Sequence, residues 1–330
     1  MTERAAAREW LRQQVQRLRP HAGGAKAEEQ GVLPPPKPTV AVVTDSAAAL
    51  PPEWVAELSA HGLLTVVPMP VIIGQDVYSD DDAELEAHIS LALAAGKSVK
   101  TSRPSPGQFE RAYKTAAEAG VTAVVSLHIS GKLSGTLEAA LLAAQRSAIP
   151  VEVFDTGTVG MGQGVGVQAA VAAALRGEAA DEVLKAATRA VSNTAVYFYV
   201  PSLEQLRRGG RISMASSWLG TVLDIKPILG IKDGAVVPLE RVRFAAKAIA
   251  RLESLATADI GARGASRTQV SVHHFGNEDQ GRAVVDSLKA ASPTLAASTL
   301  TRLPAVLAAH AGLGVLVIVV ADALHPDLPA

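Results

Sequence analysis

Short unbroken apolar runs alternate with longer segments whose apolar residues recur at helical spacing, a pattern that predicts an α/β fold from about Val40 onward. Val40 to Val43 reads as a buried strand closed by Thr44-Asp45-Ser46, and Pro51-Pro52 leads into a helix whose first turn carries Glu53. Leu63 to Ile73 is strand-like, with Pro68 and Pro70 confining it to an edge or an irregular crossing before a turn at Gly74-Gln75-Asp76. Asp80, Asp81 and Asp82 begin a helix to about Ala95, where their charges complement the macrodipole. Val124 to Ala144 predicts a strand, a turn rich in Ser and Gly, and a long helix. Ile149 to Phe154 is another buried strand, followed by GMGQGVGVQAAVAAAL.

From Thr194 the texture changes. Tyr197 to Tyr199 lie in a strand, Leu203 to Arg208 form a short helix stopped by Gly209-Gly210, and Ser213 to Leu219 form another. Lys226 to Ile231 and Ala235 to Leu239 flank Lys232-Asp233-Gly234, a hairpin signal. A helix from Arg243 to Ala256 precedes strand, helix, strand, helix and a final strand at Val315 to Val320. The pattern therefore predicts a mainly parallel sheet over residues 39–191 and a mixed sheet with helices over 192–330. Residues 1–38 fall outside both: Ala5 to Leu18 carries an apolar stripe, and the LPPPKP stretch reads as an extended spacer.

Composition narrows the partners more than the fold. With 31 Lys and Arg against 32 Asp and Glu, the intermixed charges give no field for nucleic acid or anionic lipid. The chain has no cysteine, which removes disulfides and thiolate chemistry and fits a cytoplasmic location. No stretch gives the ~18 uncharged apolar residues that a membrane span needs without turn signals interrupting it.

Candidate chemistry gathers in turns at predicted strand ends. VVSLHISGKLSGTLEAALLAA points small hydroxyls, Ser130 and Ser134 among them, and free N–H groups toward one side, which suits a carboxylate. In VKTSRPSPGQF, Ser105 and Gln108 have capping-box spacing, leaving Thr101 and Ser102 freer on backbone extended by Pro104. Other signals are weaker. Gly164, Gly166 and Ala169 match G-x-G-x-x-A, but Asp181 and Glu182 open a polar helix where a nucleotide site needs a second strand's acidic end. Close helix packing explains those glycines better. Neither a phosphate loop nor a G-x-S-x-G elbow occurs, and His273-His274 lacks a third metal ligand.

Taken together, VTDSAAALP, TSRPSP, SGKLSGTLEAA, RRGGRI leading through KPIL to the DG hairpin, and AVLAAHAGLG resemble the DegV family in order and type over nearly the whole fold. The resemblance implies a two-domain α/β protein holding one long-chain fatty acid between its domains, without a cofactor or catalytic metal. It implies a carboxylate cradle of Thr101, Ser102, Ser130 and Ser134 joined by His310 and Arg211, with an apolar tunnel for the tail. It also implies a partner, the catalytic subunit of a bacterial fatty acid kinase, which would phosphorylate the presented carboxylate. Two positions depart from the family: Ser130-Gly131 stands where two serines are usual, and Lys100 where a hydroxyl is usual. A stand-alone lipid sensor, or a hydrolase or transferase using the same cleft, remains the alternative reading of these residues.

Overall fold

A computed structural model describes residues 38–80, 84–212 and 225–323. The segment 1–37, Asp81 and Asp82, and the expected helix at Ser213 to Leu219 lie outside the described residues. The first sheet is built from β1 (Val40–Asp45), β2 (Leu64–Val67), β6 (Ala123–His128) and β7 (Val151–Asp155), all parallel in the order β2-β1-β6-β7. Its helices are α1 (Pro52–Ala60), α3 (Pro106–Glu118), α4 (Thr136–Ala144), α5 (Met161–Leu175) and α6 (Ala180–Ser192). Alternation along the strands divides the packing. Val40, Val42, Val125 and Leu127 meet α1, α5 and α6, whereas Ala41, Val43 and Val124 meet α3 and α4.

The second sheet has six strands in the order β10-β9-β8-β13-β11-β12. They are β8 (Thr194–Tyr199), β9 (Lys226–Lys232), β10 (Ala235–Val242), β11 (Thr268–His274), β12 (Ala297–Arg302) and β13 (Leu316–Asp322). Only β11 and β12 run parallel, so the sheet is mixed. Leu316, Ile318 and Val320 of β13 face a core shared with α8 (Ala245–Arg263) and α9 (Glu278–Ala291). The alternate residues Val317 and Val319 face the other way, into the core between the two sheets.

That central core also takes in α2 (Leu85–Ala94), α7 (Glu204–Arg208), α10 (Ala305–Ala311) and a small antiparallel sheet. This third sheet, β4-β3-β5, comprises β3 (Val71–Ile73), β4 (Asp76–Tyr78) and β5 (Val99–Thr101). Its existence corrects the expectation of one strand over Leu63 to Ile73. Pro68 and Pro70 cannot donate to a ladder, so the run breaks and its halves join different sheets. Likewise α2 begins at Leu85 with Glu86 in its first turn, so Asp80 precedes the helix instead of opening it.

Helix α5 is the seam between the sheets, touching β1 and β6 on one side and β8 and β13 on the other. It is buried along nearly its whole length, and its small residues are what let it fit. A Cβ on Gly164 would lie 2.5 Å from the Ala48 carbonyl oxygen, and one on Gly166 2.5 Å from Val191 Cγ2. The glycine pattern that resembles a dinucleotide fingerprint thus serves close packing.

Candidate functional site

Between the two large sheets lies an apolar cavity with about 730 Å³ of space between atoms, its open mouth included. Val196, Phe198 and Val317 wall it from the six-stranded sheet, Ile231 and Val236 from the β9–β10 hairpin, and Leu303, Val306 and Leu307 from the α10 region. Its polar lining side chains are Thr101, Ser134, Arg211 and His310. The fold brings these four together from positions up to 209 residues apart.

Each is aimed by its local structure. Thr101 ends β5, paired with Val71, and its Oγ1 lies 2.7 Å from His310 Nε2. His310 sits in the last turn of α10, where burial, and secondly the charge of Arg211, lower its pKa to about 4. The imidazole is therefore neutral at pH 7. Ser134 belongs to the tight turn after β6, where the Leu133 and Ser134 N–H groups both donate to the Ser130 carbonyl. Its own hydroxyl pairs with that of Thr136 at 2.8 Å.

Arg211 leaves α7 through a Schellman ending. Its N–H reaches back to Leu206 O, Gly210 N–H to Arg207 O, and Gly210 has φ of 68°. The side chain then donates from Nε to Leu133 O at 3.0 Å and from Nη1 to Gly209 O at 2.5 Å. Gly209 is needed for a different reason. Its φ of −76° suits any residue, but a Cβ there would lie 2.9 Å from His310 Cε1 and nearer still to Nδ1. The ring of His310 rests directly on this backbone.

Two expected ligands are placed elsewhere. Ser102 is exposed, and its hydroxyl donates to the Arg103 carbonyl at 3.3 Å. Ser130 is buried, and its hydroxyl donates to the Gly234 carbonyl at 2.7 Å, not into the cavity. Lys100 alternates with Thr101 along β5 and is exposed, so it takes no part in the cavity. Gly131 fits because a Cβ there would lie 3.0 Å from Asp155 Oδ2 and 3.2 Å from Leu137 Cδ2. Asp155 meanwhile accepts the Gly131 and Gly157 N–H groups.

The remaining candidates are absorbed locally. Asp45 accepts the N–H groups of Ala47 and Ile129, and Ser46 that of Met69. Ser105 and Gln108 form the capping box. His273 Nε2 accepts the Met161 N–H at the start of α5, and its Nδ1 lies 2.7 Å from Thr301 Oγ1. Burial lowers the His273 pKa to about 3, with a smaller contribution from His274. Among the described residues no group of three or more His, Asp or Glu is placed to hold a metal, and no helix is long and apolar enough to cross a membrane.

Sequence reasoning missed one polar cluster. Asp45, Ser126 and His128 are buried and linked in series: Tyr113 OH to Ser126 Oγ at 3.0 Å, Ser126 Oγ to His128 Nε2 at 2.8 Å, and His128 Nδ1 to Asp45 Oδ2 at 3.0 Å. None of the four lines the cavity. The signal available was a Ser and a His two residues apart on one buried strand, and hence on one face.

Residues 39–323 match a family profile described as "Uncharacterised protein, DegV family". A DegV domain-containing protein of Streptomyces coelicolor is 40% identical over 283 residues, covering 86% of this chain and 98% of its own. Among solved structures, a Thermus thermophilus DegV family protein described for its fatty acid binding is similar with a TM-score of 0.78 at 34% identity, covering 86% of this chain and all of its own. DegV of Bacillus subtilis, described as a fatty acid binding protein, is similar with a TM-score of 0.76 at 27% identity, covering 86% and 99%.

Proposed function

We propose, from the premise that the chain belongs to the DegV family, that it binds one long-chain fatty acid in the cavity between its sheets. One observation carries the reading: an apolar cavity whose four polar side chains, Thr101, Ser134, Arg211 and His310, sit together. An acyl tail needs only apolar wall, and each buried methylene contributes about 0.8 kcal/mol. The carboxylate lies against the four polar groups. His310 in its Nε2–H form donates to Thr101 Oγ1, leaving the Thr101 O–H to donate to a carboxylate oxygen. Arg211 adds positive charge. Because its Nε and Nη1 groups are engaged with backbone carbonyls, it holds the anion without a full two-pronged grip.

A carboxylate held in this way keeps its nucleophilicity, and we infer that the chain presents it to a separate ATP-dependent fatty acid kinase. The kinase transfers the γ-phosphoryl group of ATP to a carboxylate oxygen, giving an acyl phosphate and ADP. This chain supplies recognition and not the phosphoryl chemistry, since its sequence has no G-x-x-x-x-G-K-[ST] segment. The alternative of a hydrolase in the same cleft finds one supporting feature, the hydroxyl–imidazole pair of Thr101 and His310. A His held near pKa 4 is too weak a base to activate that hydroxyl at neutral pH. The domain boundary near residue 191 and a cytoplasmic setting belong to the same proposal.

Native mass spectrometry of the purified full chain tests the binding. A co-purifying adduct with the mass of a long-chain fatty acid, lost in Thr101→Ala combined with His310→Ala, supports it. An apo protein that takes up no added oleate refutes it.

A further inference from the structure

Ser130 occupies the turn that the sequence assigns to the carboxylate, yet its hydroxyl is bonded across to the other sheet. It donates to Gly234 O at 2.7 Å and accepts the Lys132 N–H at 3.2 Å, and the residue is 1% exposed. Gly234 is the second residue of the Asp233-Gly234 turn. With φ of 49° and 78°, these two residues have the left-handed backbone of a tight hairpin. A Cβ on Gly234 would lie 2.6 Å from Ser130 Oγ, so glycine is needed here for close approach as well as for the turn.

The strands behind this turn are β9 and β10, which carry Ile231 and Val236 into the cavity wall. β10 is an edge strand paired only with β9, its register shifts between Pro238 and Glu240, and it has no fully buried residue. A ladder of this kind opens at low free-energy cost unless its end is held. Among the described residues, the Ser130–Gly234 bond is the one hydrogen bond that joins the hairpin tip to the turn after β6.

We propose that Ser130 is a positioning residue that latches the β9–β10 hairpin over the cavity and so sets the rate at which a bound acyl chain leaves, and is not a ligand of the carboxylate. The proposal rests on the fatty-acid reading for its ligand and on the hairpin geometry for its mechanism. A latch acts on the wall, so its loss affects any occupant of the tunnel, whatever its head group. A carboxylate ligand acts only on the anion.

The test uses the full chain with two probes of equal length, oleate and oleyl alcohol, whose release is followed by stopped-flow displacement. Ser130→Ala is expected to speed release of both by the same factor, about five- to tenfold, the size expected for one lost buried hydrogen bond. Thr101→Ala is expected to speed release of oleate alone. Amide exchange on the ligand-free protein is the second measurement: Ser130→Ala should raise exchange at residues 231–236 while β8 and β13 stay as in the parent. Faster release of oleate only, or unchanged exchange at the hairpin, overturns the latch; so does a rise in exchange spread evenly over the sheet. If the parent binds neither probe, the fatty-acid reading has failed, and the exchange measurement still decides whether Ser130 holds the hairpin.

Discussion

Gly209→Ala offers a severe test of the head-group geometry, because propensity and packing predict opposite signs. The residue has helical dihedrals, φ −76° and ψ −12°, so by propensity alone alanine should stabilise by about 1 kcal/mol. Packing reverses this. The new Cβ would lie 2.9 Å from His310 Cε1, closer to Nδ1, and 3.2 Å from the Gln205 carbonyl oxygen, where ordinary contact begins near 3.4 Å. The backbone of α7 is pinned by its Schellman ending, so the imidazole has to move, by roughly 1 Å. That displacement breaks the 2.7 Å bond to Thr101 and misaims the donor proposed for the carboxylate. Overpacking of this kind costs about 1–3 kcal/mol, and losing one head-group hydrogen bond about 1 kcal/mol, so oleate affinity should fall about fivefold to tenfold. Urea unfolding and oleate titration should be run on Gly209→Ala, His310→Ala and the double variant. Once His310 is truncated only the 3.2 Å approach to the Gln205 carbonyl remains, and Gly209→Ala should then cost much less than in the parent. The same destabilisation in the His310→Ala background, or parental oleate affinity in Gly209→Ala, would refute the reasoning.

Acid should destabilise the fold in a defined window. His310 and His273 have folded pKa values of about 4 and about 3, while the unfolded chain binds those protons near the ordinary value of 6.5. The contribution of each is therefore fully present above pH 6.5 and is lost as the pH drops, toward 4 for His310 and toward 3 for His273. A tenfold difference in proton affinity between the folded and unfolded chain corresponds to about 1.4 kcal/mol, so the two histidines together contribute a loss of several kcal/mol. A urea midpoint that does not change between pH 7.5 and 5 would contradict this. Filling the tunnel with Val236→Phe should weaken oleate more than laurate, since each excluded methylene costs about 0.8 kcal/mol; equal weakening of both would place Val236 away from the tail. Finally, the chain incubated with labelled ATP, magnesium and oleate should form no acyl phosphate until a fatty acid kinase is added, and product without a partner would make it an enzyme.

The mainly parallel first sheet and the Asp-Gly hairpin were legible because they follow from local pattern: apolar runs of strand length alternating with helices, and a turn dipeptide suited to positive φ. The third sheet was not. Its three strands are three residues each, too short for periodicity, and Pro68 and Pro70 signal a break without saying where the chain goes next. At the site, Thr101, Ser134, Arg211 and His310 were each nameable, the last two chiefly through family motifs. Ser102 and Ser130 were named on the same grounds and point elsewhere. A hydroxyl-rich turn indicates which side chains have donors, whereas the direction of each donor depends on the neighbour across the fold. Ser130 meets a carbonyl 104 residues away, which no local spacing encodes. Gly209 shows the same limit, since its necessity comes from a ring 101 residues later, while Gly210 beside it is explained by its own φ.

The buried chain from Tyr113 to Asp45 shows why composition alone does not make a catalytic site. Ser, His and Asp are hydrogen-bonded in the order a hydrolase uses, but each is fully buried and none opens to the cavity, so no substrate carbonyl can approach Ser126 Oγ. Its proton directions are consistent with a purely structural network. The Nδ1–H tautomer of His128, which Asp45 Oδ2 can accept, leaves Nε2 to accept from Ser126 and Ser126 to accept from Tyr113. Burial keeps the Tyr113 phenol protonated by raising its pKa to about 12. The same Asp45 also takes the N–H groups of Ala47 and Ile129 and the side-chain amide of Gln163 from α5. One carboxylate thus ties together the ends of β1 and β6 and the seam helix, so that Ile129 and the turn carrying Leu133 and Ser134 enter the cavity wall from a fixed point. In a low-dielectric interior such a network is costly to break and hard to replace piecemeal. Its role here is rigidity beneath the site, whose four polar side chains come from β5, the turn after β6, the end of α7 and α10.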